Sequence, residues 1–286
     1  SEVVDYVGGK ADLERRLIRA IGQPAARFEE DHLRLLRAVR FAARLGFEVE
    51  PATLAAIREQ APRLARVAAE RVRDELERMF AHPTRLAAWR LLGDCGLRPF
   101  LWSGAGWSAG EIERIDRTLA RLAADAGFEL VLAVLLAERG AGDVERVCRA
   151  LTCSNDQREA VRWLVSHQAD LDRPDEPSLA GLKRLLAGPA FAALRDWAGA
   201  RWAEHADAGQ RAACLDARLA AIPPERICPP PLVTGDDLIA RGLPAGPCYK
   251  KILDALYTRQ LDEELTDRDA ALAALDALLT SDGGRS

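Results

Sequence analysis

Apolar positions recur at three- and four-residue spacing along most of the chain, which is the period of a helix with one buried face. Leu35, Val39, Ala42 and Leu45 mark the clearest stripe. The pattern predicts one long helix over residues 25–45, with Gly46 as a natural residue just past its end. Pro51 opens a further helix at its permissive first position. Val72, Leu76 and Met79 or Phe80 give a third over 70–80, and residues 83–92 a fourth. A loop rich in Gly, Ser and Trp follows at 103–110. Helices are then predicted at 111–126, 128–138, 143–151, 155–169, 178–187, 189–204 and 207–221.

Proline and glycine punctuate this array. Asp170 to Pro177 carries two prolines and four acids and is the best linker candidate. Pro223 to Pro231 holds five prolines and is expected to be extended. Thr234 or Asp236 can cap a short helix, and the turn from Gly242 to Pro247 leads into a helix over 249–260. A final helix is expected over 266–279, with 281–286 fraying. Strand-like alternation is rare except at the start. Val3-Val4 precedes Gly8-Gly9, and the run from Arg16 to Ile21 is closed by Gly22 and Pro24. That reads as the last turn, short helix and edge strand of a sheet whose other strands are absent. Residues 1–24 are therefore expected to be the remnant of a larger α/β domain. No period of 20–50 residues marks a repeat array.

Hydrophobic residues make up 49% and charged residues 29% of the 286, which excludes global disorder. The longest apolar run, Leu130 to Ala137, is far short of the roughly 18–20 residues of a membrane span. No secretory signal is visible, so a cytoplasmic protein that does not engage a membrane is expected. A net charge of −4 argues against a highly basic nucleic-acid coat protein. It leaves room for a local basic stripe. Only four of the 40 Lys+Arg residues are Lys (Lys10, Lys183, Lys250, Lys251), so 36 are Arg. Base-composition bias is the simpler account of that excess, although Arg's planar fork also suits phosphates and base edges. The six cysteines form no C-x-x-C and the four histidines are scattered, so no metal site is expected. Reduced, mostly buried thiols fit that pattern. No Ser/His/Asp nucleophile and no paired His–Asp hydrolase motif is visible. Trp102 and Trp107, in the Gly/Ser loop, are the better base-stacking candidates among six tryptophans whose usual place is a core.

One segment carries candidate chemistry. In Glu30-Asp31-His32-Leu33-Arg34-Leu35-Leu36-Arg37, Asp31 and Glu30 stand three and four residues before Arg34, so an acid and a guanidinium project from one helix face. Such a pair presents fixed acceptors and donors that can match the Watson–Crick edge of a base. Arg37, one turn on, can add a phosphate or ribose contact. From pattern alone, a helix-surface ion pair is the more economical account.

Asp5-Tyr6-Val7-Gly8-Gly9-Lys10-Ala11-Asp12-Leu13, Ile18-Arg19-Ala20-Ile21-Gly22, Arg27-Phe28-Glu29-Glu30-Asp31 and the run from Arg34 to Phe47 together resemble the second half of the bacterial tRNA nucleotidyltransferase/poly(A) polymerase family, class II, of the CCA-adding type. Downstream, Glu70-Arg71-Val72-Arg73-Asp74-Glu75-Leu76 is similar to that family's neck motif. Pro231 to Ile239, followed by Gly246-Pro247, resembles its C-terminal tail, although Cys248-Tyr249-Lys250 stands where members more often place another Gly. The resemblance is strong at both ends and loose from about 100 to 220.

It implies an all-α, curved multi-helix array of neck, body and tail after a short N-terminal remnant of an α/β nucleotidyltransferase head. The divisions are 1–24 head remnant, 25–80 neck with base recognition, 81–170 body and 171–286 tail with tRNA binding. It implies that Asp31 and Arg34 read the incoming CTP or ATP, that Glu30 orients Arg34, and that Arg37 is a further nucleotide-contact candidate. The partners it implies are tRNA, a nucleoside triphosphate and a separate or upstream nucleotidyltransferase head. In the family that head holds Mg²⁺ on an Asp-x-Asp pair, beside a Gly-rich phosphate segment. No Asp-x-Asp pair beside a Gly-rich phosphate segment is found here, and Asp236-Asp237 is adjacent rather than alternating, so no catalytic residue is assigned and the chain alone is expected to be inactive. The alternatives are a poly(A) or A-only polymerase and, from another class, a non-catalytic RNA-binding subunit or half of a split enzyme.

Overall fold

A computed structural model of the chain describes residues 4–102, 104, 106–243 and 246–282. Val3, Ser103 and Ala105 of the Trp-bearing loop, Pro244 and Ala245 of the Gly242–Pro247 turn, and 283–286 of the expected frayed end lie outside them. The chain folds into two compact units. The first runs to Ala169 and is completed by Ala192–His205; the second comprises Asp170–Phe191 and the chain from Ala206 onward. Both are helical, as the apolar spacing predicts.

The first unit opens on α1 (Gly9–Glu14), entered through Gly8 at a left-handed φ of 79° that favours glycine. Asp5 accepts from the N–H groups of Val7, Gly9 and Lys10 at 3.1, 2.9 and 2.8 Å, and these donors hold its carboxyl below the usual range. Next, β1 (Leu17–Ile18) leads to α2 (Pro24–Glu30), α3 (Leu33–Leu45) and β2 (Glu48–Val49). The two strands pair in parallel, Leu17 opposite Glu48 and Ile18 opposite Val49. The expected edge strand therefore finds its partner inside this chain, across a helical crossover, as a parallel pair requires. The single helix expected over 25–45 is two helices, because Asp31 adopts an extended φ of −155° and ψ of 103° between them.

The unit continues through α4 (Pro51–Gln60), a 3₁₀ turn (Ala61–Arg66), α5 (Ala69–Phe80), α6 (Arg85–Asp94) and the short α7 (Arg98–Leu101). Leu35, Leu36, Val39, Ala42 and Ala43 of α3 are buried where it packs on α5 and α6, and α2 packs on α4. Then come α8 (Ala109–Leu119), α9 (Phe128–Leu135), α10 (Ala141–Ala150) and α11 (Asn155–His167). Ser108 and Ser154 open α8 and α11 with reciprocal capping boxes. The chain leaves for α12 (Leu179–Leu186) in the second unit and returns along α13 (Phe191–Trp202).

The tryptophans settle the role of the Gly/Ser loop. Trp102 is fully buried and stacks on Phe80, while Trp107 lies edge-on to Trp89 and Trp102 and donates its indole N–H to the Leu135 carbonyl at 2.8 Å. The expectation that Trp102 offers a base-stacking face is overturned, and Trp107 is half-buried in the same cluster. Arg98 caps the cluster, its guanidinium 3.8 Å from the Trp89 ring centroid. Gly93 permits this approach, since a Cβ there would stand 2.6 Å from Arg98 Cζ.

In the second unit, α14 (Ala208–Ala220), α15 (Gly235–Ala240), α16 (Pro247–Leu261) and α17 (Arg268–Asp282) join α12. Ser281 and Asp282, expected to fray, are still helical. Val233, Leu238, Leu256, Leu265, Ala271 and Leu275 form its hydrophobic cluster. The proline-rich stretch is broken only by a 3₁₀ turn at Pro224–Arg226, and the Pro229 and Pro230 carbonyls accept from Tyr257 and Gln260. The acidic strap at 170–177 is tied down: Arg211 donates to the Asp172 carbonyl, and Arg218 to those of Pro174 and Pro177. No described helix is long and apolar enough to cross a membrane. Cys95, Cys148 and Cys153 are buried and Cys214 is partly so, but Cys228 and Cys248 are exposed, so only half of the six thiols are in a core.

Candidate functional site

The break between α2 and α3 organises the polar groups around it. Without a continuous helix, the first N–H groups of α3 need other acceptors. Asp31 supplies them: its carbonyl accepts from Arg34 N and its Oδ1 from Leu33 N, both at 3.1 Å. Its second oxygen, Oδ2, accepts from Arg71 Nη2 of α5 at 3.0 Å. Burial pushes this carboxyl up, but the Arg71 hydrogen bond and the Leu33 N–H outweigh it, and the net shift is downward. Asp31 is an anion at neutral pH with one edge capping a helix and the other facing a guanidinium.

Arg34 leaves α3 in the opposite sense. Its Nη1 donates to Glu30 Oε2 at 2.7 Å and to the Arg27 carbonyl at 3.1 Å, bridging the break. Glu30 also receives Arg27 Nη1 at 2.6 Å, and these two arginines hold its carboxyl below the usual range. Arg37 reaches elsewhere: its Nε donates to Glu75 Oε1 at 3.3 Å, while Arg40 Nε donates to Glu75 Oε2 at 2.7 Å. Glu75 is 2% exposed, and Arg78 stands 3.5 Å from it, so a buried acid is held by three guanidinium groups.

The structure thus brings Glu30 and Arg34 into direct contact, sets Asp31 against Arg71, and sends Arg37 to Glu75. Sequence reasoning missed Arg71 and Glu75 as members of this network. A signal for Glu75 was present: it occupies a core position in the α5 stripe of Val72, Leu76 and Met79. An acid there needs cationic partners. Arg71, 40 residues from Asp31, carried no comparable mark. Among the described residues no three His, Cys, Asp or Glu side chains converge as metal ligands. The described residues therefore do not fit a Mg²⁺ site.

Comparison with known proteins bears on the whole chain. Residues 46–103 match the family described as the probable RNA and SrmB-binding site of polymerase A. The CCA-adding enzyme of Geobacillus stearothermophilus is 30% identical over 285 residues, covering 95% of this chain and 66% of that enzyme. The CC-adding tRNA nucleotidyltransferase of Halalkalibacterium halodurans is 37% identical over 169 residues, 58% of this chain and 42% of that one. The crystal structure of the Bacillus stearothermophilus CCA-adding enzyme in complex with CTP aligns with a TM-score of 0.78 at 28% identity, over 99% of this chain and 70% of that chain. The fold and the matched sequence define the helical portion of the tRNA nucleotidyltransferase/poly(A) polymerase class. Within that class, the chain belongs to the CCA-adding enzyme family. It spans 66% of the length of the Geobacillus relative.

Proposed function

We propose that this chain is the base-selecting and RNA-holding portion of an enzyme that adds CMP and AMP to the 3′ end of tRNA in the cytoplasm, releasing pyrophosphate. Asp31 and Arg34 read the Watson–Crick edge of CTP or ATP, the carboxylate accepting from the base and the guanidinium donating to it. Glu30 orients Arg34, and Arg37 contacts the nucleotide beyond the base. The helices that follow hold tRNA through its backbone, drawing on the Arg excess. The carboxylates that place Mg²⁺ for nucleotidyl transfer belong to a head segment outside these 286 residues. The observation that carries this reading is the helix break itself. It places an ionised carboxylate at the break and a guanidinium in the first turn of the helix that follows, in a chain 30% identical to a CCA-adding enzyme.

The match of residues 46–103 to a polymerase A RNA-binding family favours a second reading, addition of A alone. Sequencing the nucleotides added to tRNA lacking its 3′ end separates the two. The chain by itself, given Mg²⁺ and labelled CTP or ATP, is expected to incorporate nothing. The chain joined to a nucleotidyltransferase head is expected to add C before A. Incorporation by the isolated chain above a contaminant control would overturn the assignment of catalysis to the head.

A further inference from the structure

The end of α10 brings two thiols together. Thr152 takes a left-handed φ of 51°, and the Cys153 N–H donates to the Cys148 carbonyl at 2.9 Å. This bond links the third-last helical position to the second residue past the cap, a turn that places those two side chains in contact. With standard bond lengths it limits the Cα separation to about 7 Å, near the upper end of disulfide geometry. Cys148 is 0% exposed and Cys153 9%, so only Cys153 meets solvent. The neighbouring Cys148 thiol, with the Arg73 guanidinium, holds Cys153 below the ordinary thiol range against its burial, while Cys153 and burial push Cys148 up. Arg73 is fixed in place by donating to the Thr152 carbonyl at 2.8 Å.

We infer that Cys148 and Cys153 form a peroxide-oxidised dithiol site in which Cys153 attacks and Cys148 resolves. The Cys153 thiolate attacks one oxygen of hydrogen peroxide; an S–O bond forms, the O–O bond breaks, and the departing hydroxide takes a proton to become water. The Cys148 sulfur then attacks the Cys153 sulfenic acid. The S–S bond forms, the S–O bond breaks, and hydroxide leaves with the Cys148 proton as a second water. Two thiols lose two electrons to one peroxide, and no further reactant is needed. The inference stands apart from nucleotide addition.

The test is peptide mapping of the intact, folded chain after mild peroxide treatment, denaturation and alkylation. Trypsin cuts after Arg146, Arg149 and Arg158, so the disulfide joins peptide 147–149 to peptide 150–158. The expected result is that linked pair as the dominant product, a fall from six alkylatable thiols to four, and full reversal by dithiothreitol. Cys148→Ser is expected to leave a sulfenic acid on Cys153 that dimedone traps. A double Cys228→Ser, Cys248→Ser variant removes the exposed thiols as relays and is expected to keep the link. Cys148 and Cys153 remaining alkylatable while Cys228 or Cys248 oxidises would overturn the inference. So would Cys153 linked to any other cysteine, or loss of the link in the double variant.

Discussion

Asp31 in the first unit and Asp237 in the second are built from the same parts. Each carboxylate has one oxygen on a backbone N–H near the start of a helix and the other on an arginine. Asp237 Oδ2 accepts from Thr234 N at 2.8 Å and from the Thr234 hydroxyl, and Oδ1 accepts from Arg268 at 2.6 Å. The settings differ. Asp237 sits inside the first turn of α15, at the third position of a capping box, and is buried. Asp31 stands between two helices in extended backbone, with a quarter of its side chain open. The backbone around Asp237 closes on it, so its hydrogen-bonding capacity is spent on the fold. At the break Asp31 and Arg34 keep 25% and 33% of their side chains open. A carboxylate–arginine pair is thus a poor marker of function until the backbone that presents it is known.

The strongest way to break this comparison is Arg34→Ala in a chain joined to a nucleotidyltransferase head. Losing a bidentate base contact is expected to remove about 1–3 kcal/mol of discrimination, a roughly 5- to 150-fold fall in the ratio of CTP to UTP incorporation. Thermal melting should hardly move, because Arg34 lies opposite the buried stripe of α3. A wild-type ratio, or a collapsed fold, would make the pair structural like its counterpart.

The converse holds for Asp237→Ala. It removes the capping box and strips Arg268 of its acid, so the second unit should melt roughly 4–8 °C lower by circular dichroism. The CTP to UTP ratio should stay unchanged. A change in base choice without a change in melting would erase the distinction.

Acid titration acts on both sites. Asp31 and Asp237 are each held below the usual carboxylate range, Asp31 by Arg71 and the Leu33 N–H against its own burial, Asp237 chiefly by the Thr234 N–H. A depressed folded value means that the stabilisation is fully present above the unfolded value of about 3.9. It is lost only as pH falls through the folded value. Base selection and melting temperature, as far as these two carboxylates set them, should therefore be flat from pH 8 to about 5. A fall in the CTP to UTP ratio between pH 7 and 5 would mean that Asp31 is not the ionised acceptor. The smallest effect is expected of Glu29→Ala, beside the site but joined to Arg63 by an exposed ion pair at 3.5 Å. A change above about 0.5 kcal/mol in urea-unfolding stability would show that exposed pairs at this break matter more than they usually do.

The helices were legible because their burial follows local periodicity: Leu35, Val39 and Ala42 occupy the core as their spacing indicates. The fold class and the resemblance followed from that and from contiguous motifs. The break at Asp31 was not legible. Glu29-Glu30-Asp31-His32 contains no glycine or proline, and the interruption goes with contacts to Arg71 and with α2 packing on α4, both distant in sequence. Trp102 misled for the same reason. Its neighbours Ser103, Gly104 and Gly106 signal a surface loop, while its burial depends on Phe80 and Trp107. The Asp31–Arg71 and Trp102–Phe80 contacts join positions 40 and 22 residues apart, and neither left a local mark.

The tryptophan cluster at Trp89, Trp102 and Trp107 has an optical consequence. Trp163, Trp197 and Trp202 also lie in the first unit, so all six indoles of the chain report on that unit alone. The second unit holds none and carries two of the three tyrosines, Tyr249 and Tyr257. Red-edge excitation, which selects indole over phenol, therefore follows unfolding of the unit that bears Asp31 and is silent for the other. Set against the far-ultraviolet signal, which sums both, the protein's own fluorescence separates the loss of one half from the loss of the other without any attached label.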